Sequence, residues 1–368
     1  MVPAFVTERL SYWTAVVPVA ALLALGLAWG RDLGPVAVTL IALLLAGAVL
    51  AAVHHAEVVA HRVGEPFGSL ILAVAVTVIE VGLIVTLMAS GGPDASVLAR
   101  DTVFAAVMIT LNGIVGLGLL VGARKHGILA FNAEGTGGAL ATVATLATLS
   151  LVLPTFTTSR SGPEFSPTQL AFAAVASLVL WGMFVLTQTV RHRDFFLPVT
   201  LEGELVDPHE EHAAPPSGRA AAISLGLLVV ALVGVVGLAK LESPAIESGV
   251  KGAGLPQSFV GVVIALLVLL PETLAATNAA LRNRIQISLN LAFGSAMASI
   301  GLTIPAIAIA SIWLDGPLSL GLGPTQMVLL GLTVVVSVLT VVPGRATRLQ
   351  GGVHLVLLAG FLFLAIAP

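Results

Sequence analysis

GSLILAVAVTVIEVGLIV, residues 68–85, and GVVIALLVLLPETLAATNAAL, residues 261–281, are long aliphatic runs, each interrupted by a single carboxylate, Glu80 in the first and Glu272 in the second. Runs of this length without period-two alternation fit helices that cross a bilayer, whose hydrocarbon core takes about 20 apolar residues per helix. Inside lipid every backbone N–H and C=O must be paired within the segment, which a helix achieves and an open strand does not. A carboxylate at that depth costs roughly 2.5–3.5 kcal/mol on translocon scales, so one retained there generally faces a cavity and serves a function.

The rest of the chain agrees with this reading. Of its 368 residues 57% are hydrophobic and 10% charged, whereas a soluble domain carries about 25% charge; a soluble globular fold is excluded. A net charge of -3 and the lack of a long basic tract exclude nucleic acid as a partner. There is no cysteine, hence no disulfide, thiolate ligand or cysteine nucleophile. Met1 to Leu10 carries charges of both signs without a small-residue cleavage site, so the first apolar run is expected to stay attached.

Apolar runs near 11–29, 36–54, 69–90, 102–121, 138–156, 168–189, 220–239, 256–280, 288–313, 324–343 and 351–367 predict an all-α membrane protein of about eleven transmembrane helices. The basic residues divide unequally between the two sets of loops. Arg9, Arg62, Arg124, Lys125, Arg191, Arg193, Arg219, Arg282, Arg284, Arg345 and Arg348 fall on the side of the N-terminus, and Arg31, Arg100, Arg160, Lys240 and Lys251 on the other. The asymmetry predicts a cytoplasmic N-terminus and, with an odd number of spans, a C-terminus outside.

The longest loop predicts an acidic cytoplasmic linker over 191–219. It leaves an extra N-terminal helix in 1–31, a five-helix repeat in 32–190 and a second in 220–368. An odd repeat length inverts the second copy, the plan of many secondary transporters. Each acid-bearing run also precedes a run of small and polar residues, TLNGIVGLGLLVG at 110–122 and NLAFGSAMASIGLTIP at 290–305. Glu80 and Glu272 would then approach the midplane from opposite faces. The bland alternative is that each is a neutral Glu hydrogen-bonded between helices.

Two carboxylates in an apolar setting can hold protons or a cation, and competition for one site is a minimal mechanism of exchange. Candidate further ligands are Thr77, one turn before Glu80, the amide of Asn112, and Ser295 and Ser299 on the helical face that also carries Ser288, Ala292 and Thr303. Helix packing is the competing account of each hydroxyl. Pro271 removes the backbone hydrogen bond due to the carbonyl of Leu267 and frees an oxygen at membrane depth. Calcium takes roughly six to eight oxygen ligands, of which two carboxylates supply only some; charge counting alone does not separate a divalent ion from a monovalent ion with a retained proton.

His54, His55, Glu57 and His61 read as a solvated helix end, with a proton-access role as the sharper alternative, and their spacing is not that of an HExxH metalloprotease. Glu202, Glu204, Asp207, Glu210 and Glu211 in the linker are candidate regulatory carboxylates, set against a plain solvated loop.

HAEVVAHRVGEPFGSLILAVAVTVIEVGLIV at 55–85 and LPETLAATNAALRNRIQISLNLAFGSAMASIGLTIP at 270–305 resemble the calcium/cation antiporter superfamily, most closely its ChaA-like calcium/proton exchangers. The resemblance implies two inverted five-helix repeats after an extra helix, residence in a bacterial plasma membrane, and export of cytoplasmic calcium against protons. It implies Glu80 and Glu272 as metal ligands and proton carriers, with no cofactor beyond the transported ions. One departure stands out: many exchangers place a Gly-Asn pair before each acid, where this chain has Val76 and Thr77, and Val268 and Leu269. Sodium or potassium, also associated with ChaA-like proteins, is therefore an expected alternative cation. Inorganic cations and the lipid bilayer are the expected partners, and oligomeric state is not written in the sequence. Of other classes, a passive cation channel lacks an evident carbonyl filter, and an intramembrane enzyme lacks a Cys or HExxH centre.

Overall fold

A computed structural model describes residues 4–31, 33–64, 67–89, 95–205, 216–314 and 316–367. The chain forms two compact units, Met1–Ala95 with Ala213–Gln257 and Ser96–His212 with Ser258–Pro368, so each draws on both halves of the sequence. Among the described residues nine helices are long and apolar enough to cross a bilayer, or ten with one bent pair counted as a single span; Tyr12–Ala28 is a shorter apolar helix.

The first unit consists of α1 (Ala4–Ala28), α2 (Pro35–Val63), α3 (Phe67–Ala89) and α8 (Gly218–Gly252). Pro35 starts α2 where its missing N–H costs nothing, and the Ser217 side chain caps α8 by accepting from the Ala220 N–H. α8 packs on the other three helices, and small residues set its approach. A Cβ on Gly82 of α3 would lie 2.5 Å from Val236, and one on Gly234 would lie 3.0 Å from Ala21 of α1. Between helices in lipid, where apolar burial supplies no drive, such close backbone approach is the main source of attraction. Pro18 inside α1 has no N–H for the carbonyl of Thr14. His55 of α2 donates its Nε2–H to that carbonyl at 2.9 Å, joining α1 to α2.

The second unit holds α4 (Ala95–Met108), a π turn (Ile109–Ile114) and α5 (Val115–His126) as one nearly continuous helix. It is the most enclosed of the candidate spans, with 89% of its apolar window buried. α6 (Ala133–Ala147), α7 (Pro167–Leu186), α9 (Phe259–Val268), α10 (Leu270–Leu281), α11 (Ile285–Gly301), α12 (Thr303–Ala310), α13 (Pro324–Val341) and α14 (Arg348–Ile366) complete it. Asn132 caps α6, and Ser166 with Gln169 and Thr347 with Gln350 form reciprocal capping boxes at α7 and α14. Two-residue strands β1 (Leu129–Ala130) and β2 (Arg345–Ala346) pair antiparallel, with Leu129 opposite Ala346, tying the turn after α5 to the turn before α14.

Several helices run past the ends expected from the apolar runs: α2 reaches Val63 rather than 54, α8 reaches Gly252 rather than 239, and the α4–α5 stretch spans Ser96–His126 rather than 102–121. The backbone ladder does not stop at the first polar side chain; α8 passes Lys240, Glu242 and Ser243 and ends just before Gly254, at φ +71°. Two expectations change with it, the first being that every acid other than Glu80 and Glu272 falls in a loop or at a helix end. Glu80 and Glu272 are not alone among acids within helices, because Glu242 lies inside α8 at 2% exposure and Asp101 is buried in α4 beside Arg100 at 2.8 Å. The histidine cluster is not wholly a solvated helix end, because His55 is buried.

Candidate functional site

Glu80 lies in the interior of α3 and is 3% exposed. Thr77 is also buried, and its position three residues earlier puts it on the same face as Glu80. The Thr77 hydroxyl has no hydrogen-bond partner among the described residues, a state that costs roughly 1–3 kcal/mol unless something supplies a partner. In the same unit, Oε1 of Glu242 on α8 is likewise buried without a partner among the described residues. The apolar run of α8 stops at Lys240, so composition alone predicts a loop at Glu242.

Glu272, in the second unit, is held differently. α9 and α10 meet at a 55° bend at Leu269, two residues before Pro271. The proline ring is incompatible with the carbonyl of Leu267 and supplies no N–H, which is the usual cause of such a kink. The ladder continues on either side, from Leu269 N–H to Ala265 O and from Thr273 N–H to Leu269 O, both 2.9 Å. Glu272 therefore sits in the first turn of α10, half-buried, where the positive end of the helix dipole favours a negative charge.

α10 packs against α11 and α5, and the π turn touches both α10 and α11. This brings the helices carrying Asn112, Ser295 and Ser299 together with that of Glu272. Ser299 is buried and Ser295 half-buried on α11. The hydroxyl stripe is not continuous, since the helix breaks at Leu302 and Thr303 opens α12. Ser288 fits the packing account, for a Cβ on Gly118 of α5 would lie 2.6 Å from its hydroxyl.

Asn112 is fully buried in the π turn, a feature that concentrates at functional sites. The turn forms beside Thr110, whose hydroxyl back-bonds to Ala106 O at 2.8 Å, a bond that bends helices. The amide of Asn112 is engaged at both ends, its Nδ2 donating to Thr333 Oγ1 at 2.9 Å and its Oδ1 lying 3.2 Å from His354 Nδ1. His354, fully buried on α14, carries no local sequence signal of a site. Its burial follows from a glycine crossing: a Cβ on Gly116 would lie 3.0 Å from His354 Cβ, and one on Gly351 would lie 2.5 Å from Leu120 N.

Of the linker carboxylates, Glu202 and Glu204 are exposed on a small hairpin closed by the Val199–Leu205 bridge, with Gly203 at φ +87°. Asp207, Glu210 and Glu211 lie outside the described residues. The start of the linker is anchored rather than loose: Phe196 packs edge-on against Phe184 of α7, and its carbonyl accepts from Asn290 Nδ2 at 2.7 Å. Among the described residues no group of three or more His, Asp or Glu is arranged to hold a metal ion.

A membrane-crossing helical protein that buries carboxylates, an amide and hydroxyls at helix interiors and breaks has the makings of an integral membrane transporter. The family model described as sodium/calcium exchanger protein matches residues 33–190 and 223–367, and the chain belongs to that family. An Escherichia coli protein, the sodium-potassium/proton antiporter ChaA, is 35% identical over 349 residues, covering 94% of this chain and 93% of its own. A Sinorhizobium fredii protein provisionally described as the ionic transporter y4hA is 49% identical over 325 residues, covering 88% of this chain and 87% of its own. The fold is that of the solved H+/Ca2+ exchanger CAX, with a TM-score of 0.68 at 14% identity over 98% of this chain and 89% of that one.

Proposed function

We propose that the protein exchanges cytoplasmic calcium for protons by alternating access, with Glu80 and Glu272 as the groups that hold cation and proton in turn. The observation that carries this is the placement of two single acids on otherwise apolar membrane helices, one enclosed on the helix face of Thr77, whose hydroxyl has no partner among the described residues, and the other at a proline-broken helix start. Neutralising two carboxylates suits one divalent ion, with Asn112, Ser295, Ser299 and Thr77 as further oxygen donors. Membership of an exchanger family favours coupled exchange over a passive channel. The two matched stretches agree with a duplicated chain, and on this reading they are inverted repeats following Tyr12–Ala28 as an added span. On this reading the excess of basic loop residues on one side orients the N-terminus toward the cytoplasm, and the bacterial relatives favour a bacterial inner membrane.

A second reading, exchange of sodium or potassium for protons at the same residues, is favoured by the 35% identical relative, a sodium-potassium/proton antiporter. Everted vesicles separate the two. Calcium uptake that follows an imposed pH gradient is expected; gradient dissipation by sodium or potassium with none by calcium would move the assignment to the second reading, and uptake indifferent to the gradient would overturn proton coupling.

A further inference from the structure

The buried amide of Asn112 belongs to a hydrogen-bond chain within the second unit whose directions are fixed from one end. Met108 Sδ has no hydrogen to give, so the Thr333 hydroxyl, 3.6 Å away, donates to it. Thr333 Oγ1 then accepts from Asn112 Nδ2, which also lies 3.9 Å from the same sulfur. That sets the amide with its oxygen toward α14, where His354 Nδ1 is 3.2 Å away. A carbonyl oxygen only accepts, so Nδ1 carries the hydrogen, and the neutral ring accepts at Nε2 from the Thr340 hydroxyl at 3.1 Å. Every donor in the chain has an acceptor, and reversing the amide would forfeit the Thr333 donation to Met108 and require the ring proton to move from Nδ1 to Nε2.

We infer that His354 is a positioning residue for cation binding: its Nδ1–H holds the Asn112 amide in one orientation, occupying one lone pair of Oδ1 and leaving the other for an ion. This rests on the proposed function, in which Asn112 supplies an oxygen to the transported cation. The surroundings make the arrangement specific to histidine. The ring bridges the π turn and α13 from a point where Gly116 and Gly351 bring α5 and α14 together, so a larger side chain has no room and a shorter one reaches only one of the two partners.

Substitutions that separate the two ring nitrogens supply the test. His354→Asn keeps an amide nitrogen on the carbon that bears Nδ1, and so keeps a donor for Asn112. His354→Gln places its amide near Nε2, reaching Thr340 but not Asn112, and His354→Leu removes both bonds. Proton-coupled calcium and sodium transport would be measured in proteoliposomes. Losing one orienting hydrogen bond is expected to raise the apparent KM for the cation about tenfold in His354→Gln and His354→Leu, with kcat within about twofold. His354→Asn should stay within about threefold of the unsubstituted protein. A purely structural role would instead lower the yield of folded protein or kcat in all three and leave KM alone. The inference is overturned if folded variants share one KM, or if His354→Asn is no better than His354→Gln, a comparison that stands even if His354→Leu does not fold. Absence of cation-driven proton movement in the unsubstituted protein would overturn the proposed function itself, and is readily told apart from a normal exchanger whose KM ignores His354.

Discussion

Glu80 lies in the interior of the unbroken 23-residue helix α3, whereas Glu272 occupies the first turn of α10, immediately after a 55° bend. Around Glu80 the backbone N–H and C=O groups are consumed by the helical ladder, so help for a charge or a bound ion must come from side chains such as Thr77. At Glu272 the backbone contributes directly. The first turn of α10 lies at the positive end of the helix dipole, which adds about 0.3–1 kcal/mol in favour of an anion. Two acids at matching places in the sequence are thus supported by different means, and the difference traces to Pro271, which has no counterpart before Glu80 in the sequence VTVIE. Broken helices recur in transporters because their exposed ends bind ions that an intact helix cannot.

The largest effect expected is common to both acids. Glu80→Gln or Glu272→Gln, by removing a buried charge from its partner ion, should lower exchange on the order of 100-fold or more in vesicle uptake assays. Substitution at the proline addresses the asymmetry itself. Pro271→Ala restores a backbone hydrogen bond and should straighten the α9–α10 pair, cutting transport about three- to tenfold while the protein stays folded; unaltered transport would mean that the bend contributes nothing to ion binding. On the other side, Thr77→Val removes the hydroxyl but keeps the shape, and should raise the apparent KM about fivefold. Thr273→Val makes a control in the second unit, since that hydroxyl already donates to Leu269 O at 2.7 Å. The smallest change belongs to the linker: Glu202→Gln with Glu204→Gln, both exposed, should alter exchange by less than about twofold at physiological salt.

Much of this contrast could be read from residues alone. Single acids inside long apolar runs and a proline beside one of them are strong signals, because lipid penalises both a charge and an unpaired backbone group. Helix ends were less legible. Apolar runs mark what lipid touches, while helices continue wherever hydrogen bonding is unbroken, so α8 carried Glu242 into a buried position that composition assigned to a loop. His354 was hidden for another reason. In GGVHLVLLAGF it is one polar residue among apolar ones, and nothing local announces partners 242 residues away at Asn112. The one sequence clue was glycine spacing, Gly351 one turn before His354 and Gly116 one turn after Asn112, the signature of helices that touch. Asn112, chosen for its amide oxygen, proves to be shared with a histidine and a threonine, a fact that no spacing within its own helix contains.

The most direct measurement is fluorescence of a pH-sensitive dye in proteoliposomes holding a preformed acid-interior gradient, with calcium, sodium or potassium added outside. Calcium is expected to collapse the gradient with the unsubstituted protein and to leave it standing with Glu80→Gln and with Glu272→Gln. Collapse that persists in both variants would contradict the assignment of these two glutamates as the carriers of cation and proton.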